Sequence, residues 1–201
     1  MKNRSKYSFS PGVARTEALT DGIFAISMTI LVLNIEVPSA TDLAGQSLNE
    51  FLLDQWVEFF NYALSFVLLA MFWITHHKQL NIFKQVDQPS IWINIVGLMF
   101  VALIPFSTSL MGEHSSDQIA NVFFEVNMLI IGMAFYSMWT YATAGYRLVD
   151  SEQVTAEHIR RGKRRNLVIP VVSLIAIAAS FISPSWSTAV YMIIPLIMFV
   201  I

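Results

Sequence analysis

Polar and ionisable side chains lie within the apolar stretches of this chain, and their types limit the chemistry they can do. The first stretch begins with Arg15, Glu17 and Asp21, the second ends at His76, and the third begins near Asn94. Ionisable groups are costly inside a bilayer and usually mark a functional site or a buried structural pair. These residues therefore predict either a proton relay or ion site, or an interhelical network that fixes the first helix.

The spacing of these residues indicates how they are paired. Arg15 and Asp21 are six residues apart, so they lie on different faces of a helix and should not pair with each other. We expect His76 and Asn94, at the same depth on other helices, to be their partners. A metal site is not expected, because the adjacent His76 and His77 point to different faces and the chain has no cysteine.

The composition places these residues in a membrane protein. Of the 201 residues, 55% are hydrophobic and 13% are charged, and the mean hydropathy is +0.58. A soluble domain carries about 25% charged residues. A chain this size cannot bury so many apolar side chains inside a globule, which predicts an all-α polytopic membrane protein.

Six segments are long and apolar enough to be predicted as transmembrane helices. The first is too long, and too charged at its start, for a secretory signal peptide. Polar loops separate the others, and a charged, helical linker over 147–165 precedes the fifth. The predicted spans are 14–37, 54–77, 90–112, 119–146, 166–183 and 185–201.

The placement of charge predicts the orientation of the chain in the membrane. All 12 Lys and Arg residues fall in the N-terminal segment, the second-to-third loop or the linker before the fifth span. Positive residues stay on the cytoplasmic side, so we expect both termini inside and a multi-pass protein of the cell (inner) membrane. The outer loops then carry only acidic charge, which either concentrates cations or merely reflects the requirements of translocation. Their acidic residues are Glu36, Asp42, Glu50, Glu113 and Asp117.

One stripe of the first predicted helix mixes small, hydroxyl and large aliphatic residues. At 100° per residue, a single face carries Gly22, Ile26, Thr29, Ile30 and Leu33. Such a face suits close packing against another helix. In a symmetric oligomer it would line a pore, and periodicity alone does not distinguish the two.

Three motifs make the sequence similar to a known family. The run from Arg15 to Asp21 resembles the opening signature of the transmembrane protein 175 family of potassium channels, with Leu19-Thr20 where the family has Phe-Ser. Trp73 and His76 match its W-x-x-H pattern. Asn94 followed by Leu103-Ile104-Pro105-Phe106 is similar to its third helix.

The resemblance implies a six-helix subunit of a prokaryotic homotetramer whose pore is lined by the first helix. Constricting rings would be formed by Ile26, Ile30 and Leu33, with the hydroxyl of Thr29 beside them. The resemblance implies that no cofactor is needed and that K⁺ is the permeant ion. It also implies a structural polar network made of Arg15, Thr20, Asp21, Trp73, His76 and Asn94.

The function expected from these features is a potassium-permeable cation channel with modest selectivity for K⁺ over Na⁺. An aliphatic ring offers no oxygen to replace hydration water, so the ion that dehydrates more easily is favoured. The alternative is a proton-coupled secondary cation transporter that uses Asp21 and His76. No enzyme motif is recognisable, and nucleic acid is not an expected partner. Contact between anionic lipid and the basic cluster 160–165 is plausible.

Overall fold

The computed structural model describes residues 12–38, 43, 45 and 47–200, the last two of them as backbone only. The expectations for Lys2, Arg4, Lys6, Asp42 and Ile201 lie outside the described residues. Within the described ranges the chain is helical and has no β-strand, so the prediction of an all-α fold is confirmed.

The first helix, α1 (Val13–Ile30), has one buried and one exposed face, and it continues as a 3₁₀ turn over Leu31–Asn34. The buried positions are spaced by three or four residues, which places them on one side of the helix. That side packs against the third and fourth helices of the chain. It consists of Thr16, Thr20, Phe24, Ser27 and Leu31.

A short helix, α2 (Leu48–Asp54), precedes the long helix α3 (Trp56–Leu80). A capping box fixes the start of α2. The Ser47 hydroxyl accepts a hydrogen bond from the Glu50 backbone, and the Glu50 carboxylate accepts one from the Ser47 backbone. At 1.5 Å per residue, α3 is about 37 Å long, enough to cross a bilayer.

The third apolar segment forms two helices, α4 (Gln88–Ala102) and α5 (Ile104–Glu113). The break at Leu103 follows from Pro105, which has no backbone N–H to continue the helix. Asn34 Nδ2 donates a hydrogen bond of 2.9 Å to the Pro105 carbonyl and so ties the end of α1 to the break.

Two long helices, α6 (Gln118–Thr143) and α7 (Ala156–Ser180), pack closely where glycine removes a side chain. A Cβ at Gly132 would lie 2.8 Å from Pro170 Cδ, and one at Gly162 would overlap the Trp139 ring. The chain then ends in α8 (Pro184–Ser187), a 3₁₀ turn and α9 (Ile193–Val200).

The main core consists of side chains from α1 and α3–α7 together with Tyr191 and Ile194. A smaller apolar cluster joins the loops after α3 and α6, around Phe83, Leu148 and Val154.

In the part of the chain that the structure describes, four helical segments are long and apolar enough to cross a membrane: Val13–Asn34, Trp56–Leu80, Gln88–Glu113 and Gln118–Tyr146. The predicted linker 147–165 is not a separate element, because α7 begins at Ala156 and carries the basic cluster in its first half. Its second half and the apolar segment Pro184–Met198 occupy the positions of the fifth and sixth predicted spans. Six crossings per subunit stay a prediction.

Candidate functional site

The aliphatic stripe of α1 lies on the surface of the single subunit. The exposed fractions are 59% for Ile26, 42% for Ile30 and 77% for Leu33. Thr29 is also exposed, and its hydroxyl donates to the Ile26 carbonyl at 2.8 Å. The stripe is therefore an exposed apolar surface that also carries the hydroxyl group of Thr29.

The opposite face of α1 is anchored by aromatic packing and by polar contacts near its first turns. Phe24 is buried, with its ring 6.3 Å from that of Phe135 on α6. Because this face is held by the bundle, α1 presents its aliphatic stripe in a fixed direction.

A chain of hydrogen bonds links the first turns of α1 to α4 and α3. The hydroxyl of Thr20 donates to the Thr16 carbonyl at 2.9 Å and accepts from Asn94 Nδ2 at 3.3 Å. Asn94 Oδ1 lies 2.8 Å from His76 Nε2. Because the amide nitrogen of Asn94 already donates to Thr20, its oxygen must accept, which assigns the proton of this bond to His76 Nε2. Thr20, His76 and Asn94 are all buried.

Asp21 belongs to a second set of contacts, between α1 and α3. Trp73 Nε1 donates to Asp21 Oδ1 at 2.8 Å. Four residues along each helix, His77 Nδ1 lies 3.0 Å from Glu17 Oε1. The rings of Trp73 and His77 stack with centroids 5.5 Å apart. Two pairs of residues with i,i+4 spacing thus face each other across the helix contact.

These contacts differ from the expected pairing in two respects. The partner of Asp21 is Trp73 rather than His76 or Asn94. The side chain of Arg15 is exposed and makes no hydrogen bond or ion pair with another described residue. The structure therefore brings Thr20, His76 and Asn94 together, places Asp21 with Trp73 beside them, and leaves Arg15 apart.

Sequence reasoning missed one ion pair in this region and one buried carboxylate elsewhere in the bundle. The Glu17–His77 pair was detectable from the matching four-residue spacings of Glu17–Asp21 and Trp73–His77. Glu125 is fully buried on α6, and neither carboxylate oxygen has a hydrogen-bond partner among the described residues. The sequence marked Glu125 as a candidate site, because it is an ionisable residue inside the predicted span 119–146.

The two adjacent histidines of this region face different surroundings. His76 faces the bundle interior, whereas His77 is partly exposed. Among the described residues, no group of three or more His, Cys, Asp and Glu side chains is arranged to hold a metal ion.

Comparison with known proteins shows which family the chain resembles. A family model described as endosomal/lysosomal potassium channel TMEM175 matches residues 15–105, which include α1, α3 and α4. The family that this model describes is a family of ion channels and not of enzymes.

Two relatives match a larger share of the chain. A potassium channel of Chamaesiphon minutus is 30% identical over 172 residues, covering 84% of both chains. A potassium channel of Streptomyces collinus is 31% identical over 140 residues, covering 68% of this chain and 67% of its own. The chain belongs to the TMEM175 family.

A solved structure agrees with this assignment. The crystal structure of a lysosomal potassium-selective channel TMEM175 homolog from Chamaesiphon minutus superposes with a TM-score of 0.82 at 27% sequence identity. The superposition covers 94% of this chain and 96% of that one. The similarity extends over α7 and the C-terminal helices, beyond the residues that the family model matches.

Proposed function

We propose that the protein is a potassium-permeable cation channel whose narrow pore is formed by α1 from several subunits. The observation that carries this proposal is the exposed stripe of Ile26, Ile30 and Leu33 on a helix whose other face is fixed by the bundle. Two relatives named as potassium channels and a fold shared with a potassium-selective channel support the choice of ion.

The proposed constriction works by dehydration rather than by coordination. Rings of Ile26, Ile30 and Leu33 present methyl groups, so an ion must lose part of its hydration shell to pass. K⁺ has a lower charge density than Na⁺ and loses water at lower cost. We expect modest selectivity for K⁺ and strong exclusion of divalent ions. The Thr29 hydroxyls provide oxygen atoms next to the narrowest region.

One exposed stripe encloses no pore by itself, so several copies must assemble. A homotetramer is the proposed assembly, because the family resemblance implies four copies. A mass of about four times the 22.7 kDa subunit, measured by light scattering after correction for detergent, is the expected result. Both termini are proposed to lie in the cytoplasm, with the acidic loops outside the inner membrane.

The polar network is proposed to be structural. A proton-coupled transporter would be expected to use Asp21 and His76 as neighbouring links in a relay, whereas the hydrogen bonds of Asp21 and His76 go to Trp73 and Asn94 respectively. The transporter alternative is therefore less well supported than the channel.

Current through purified protein in a planar bilayer distinguishes these functions. With K⁺ on one side and Na⁺ on the other, a channel gives current whose reversal potential lies toward the K⁺ equilibrium potential at equal pH. A transporter coupled to protons would instead shift its reversal potential when only the pH gradient is changed. A reversal potential that follows pH and ignores K⁺ would contradict the channel.

A further inference from the structure

A cavity of about 270 Å³ lies between α3 and α7, away from the aliphatic stripe of α1. Residues spaced by three or four line it from each helix, so two helix faces form its walls. Trp139 of α6 and the loop residues Gln153 and Val154 also contribute to its lining. The polar side chains that the two helices contribute include Thr75, Lys78, Gln79, His158, Arg161 and Arg165.

The charged side chains that line this cavity are basic. Lys78, Arg161 and Arg165 line it, and no Asp or Glu is among its lining residues. Arg161 also contacts Glu157 at 3.3 Å, but both side chains of that pair are more than 60% exposed. Such exposed pairs are weak, so the cavity keeps a net positive potential and favours an anion.

Buried polar atoms in the cavity wall point to a ligand that also donates hydrogen bonds. Gln79 is 2% exposed, and its amide nitrogen donates to Asn166, while its Oε1 has no partner among the described residues. The hydroxyl of Thr75, 6% exposed, is likewise unpartnered within the described part of the chain. Buried polar groups are nearly always hydrogen-bonded in folded proteins. A hydroxyl group on the bound anion would supply the hydrogen bond that Gln79 Oε1 needs.

The position of the cavity favours a lipid. Lys78 and Gln79 lie at the end of the apolar helix α3, and Arg165 immediately precedes the apolar half of α7. On α3, the exposed apolar side chains of Ile74 and Val67 lie on the same side of the helix as Lys78 and continue from the cavity toward the middle of the helix. This is the level at which basic side chains meet phospholipid head groups.

We propose that this cavity binds the head group of an anionic glycerophospholipid with free hydroxyl groups, as in phosphatidylglycerol. The phosphate would accept hydrogen bonds from Lys78, Arg161 and Arg165, and a glycerol hydroxyl would donate to Gln79 Oε1. The proposal is independent of ion conduction.

Native mass spectrometry of the full-length protein in detergent, titrated with short-chain lipids, measures this binding directly. We expect phosphatidylglycerol to be retained at least tenfold more tightly than phosphatidylcholine. Phosphatidylmethanol carries the same charge without free hydroxyls, and it should bind severalfold more weakly than phosphatidylglycerol. Equal retention of phosphatidylcholine, or equal binding of phosphatidylmethanol, would overturn the proposal.

Two substitutions and a matched control locate the site. Arg165→Gln and the more exposed Arg161→Gln each remove a charge-assisted hydrogen bond, and either should weaken phosphatidylglycerol binding about tenfold. Arg160→Gln removes the same charge from a neighbouring residue that does not line the cavity. Its binding should stay within about twofold of the wild type if local geometry rather than diffuse attraction governs binding. An equal loss in Arg160→Gln would show diffuse attraction only and reject the cavity.

A soluble phosphate is the other source of the same chemistry. Glycerol 3-phosphate, added at the same concentrations, should bind at least tenfold more weakly than the short-chain lipid, since it lacks the acyl chains that would contact the exposed apolar side chains of α3 next to Lys78. Equal binding of glycerol 3-phosphate would replace the lipid by a soluble ligand and contradict the proposal.

Discussion

Asp21 and Trp73 form the contact that fixes the depth of α1 against α3. The indole N–H of Trp73 donates a hydrogen bond of 2.8 Å to the Asp21 carboxylate, and the ring of His77 stacks on the indole. Hydrogen bonds to a charged group contribute more to stability than those between neutral groups. This contact therefore sets the height at which the aliphatic residues of α1 are presented.

Removing the indole donor tests the structural role of this contact. Trp73→Phe keeps an aromatic ring but leaves the Asp21 carboxylate without that donor. We expect a loss of about 1–3 kcal/mol of stability, seen as a lower temperature of unfolding in detergent. Trp92→Phe alters an exposed tryptophan on α4 and should leave the unfolding temperature nearly unchanged. Equal effects of the two substitutions would argue against the role of the Asp21–Trp73 bond.

Ile26 is the residue at which selectivity should be most sensitive. Ile26→Asn places amide oxygens where the proposed ring has methyl groups, so ions would cross with less dehydration. We expect a higher single-channel conductance and a K⁺/Na⁺ permeability ratio closer to unity. Ile119→Asn, at the exposed start of α6, is the matched control. Unchanged selectivity in Ile26→Asn would exclude this ring assignment.

At this scale the sequence indicated which residues meet, but not how they pair. His76 and Asn94 were expected in one network because polar groups at one depth in a membrane must find partners, and Thr20 joined it through the family resemblance. The choice of Trp73 over His76 for Asp21 depends on the rotation of α1 relative to α3, which the periodicity of a single helix does not contain. Arg15 was expected to pair, yet it lies on the exposed face.

At the scale of the elements, a close contact at a small residue brings the supporting helices α6 and α7 together. The contact of Gly132 with Pro170 lets α6 and α7 approach closely in the middle of the bundle. Leu103, between α4 and α5, lets the chain bend where Asn34 joins the end of α1 to the Pro105 carbonyl.

Adding one methyl group at the first of these contacts should separate the two helices. In Gly132→Ala the new Cβ would lie 2.8 Å from Pro170 Cδ and 3.2 Å from its backbone nitrogen. Overpacking of this kind typically costs about 1–3 kcal/mol, so the unfolding temperature should fall. In the control Gly112→Ala the nearest atom is 3.6 Å away, and stability should be unchanged or slightly higher. A stable Gly132→Ala would show that the helix contact is looser than described.

The start of α4 should make stability depend on pH. Partial burial raises the pKa of Asp87, but hydrogen bonds from Tyr141 and Ser90 and the charge of Arg147 outweigh burial and hold the pKa below its ordinary value. A lowered folded-state pKa means that its stabilisation is present above the unfolded value of about 4 and is lost as the pH falls. The wild type should lose more thermal stability than Asp87→Asn between about pH 5 and pH 3. Parallel curves for the two proteins would contradict this role.

The elements themselves were largely predictable. Apolar length and polar interruptions indicated α3 and α6 to within three residues of their bounds. The start of α1 was predicted to within one residue, but the predicted end at residue 37 lies beyond both α1 and the 3₁₀ turn that follows it. The break at Leu103 was not expected, although Pro105 was visible, because proline also occurs within intact transmembrane helices. The continuity of α7 through the basic cluster was missed because charge was interpreted as the sign of a separate linker.

At the scale of the whole molecule, the aliphatic stripe of α1 is an apolar surface that the bundle leaves uncovered. Helices α3 and α4 pack against the side of α1 that carries its buried residues. In the proposed tetramer the stripe faces its symmetry copies, and a pore forms without any carbonyl filter. The oligomer was inferred from family resemblance, since one sequence carries no direct record of how many copies assemble.

The chain contains no cysteine, so an introduced thiol is unique and reports its own position. The most direct test is block of K⁺ current by Cd²⁺ in Ile26→Cys, because a ring of soft thiolates at the constriction would bind the ion tightly. Ile175→Cys, an exposed position on α7, and the wild type are the controls. The account predicts block in Ile26→Cys that a chelator reverses, with neither control affected. Full current through Ile26→Cys in the presence of Cd²⁺ would contradict a pore lined by α1.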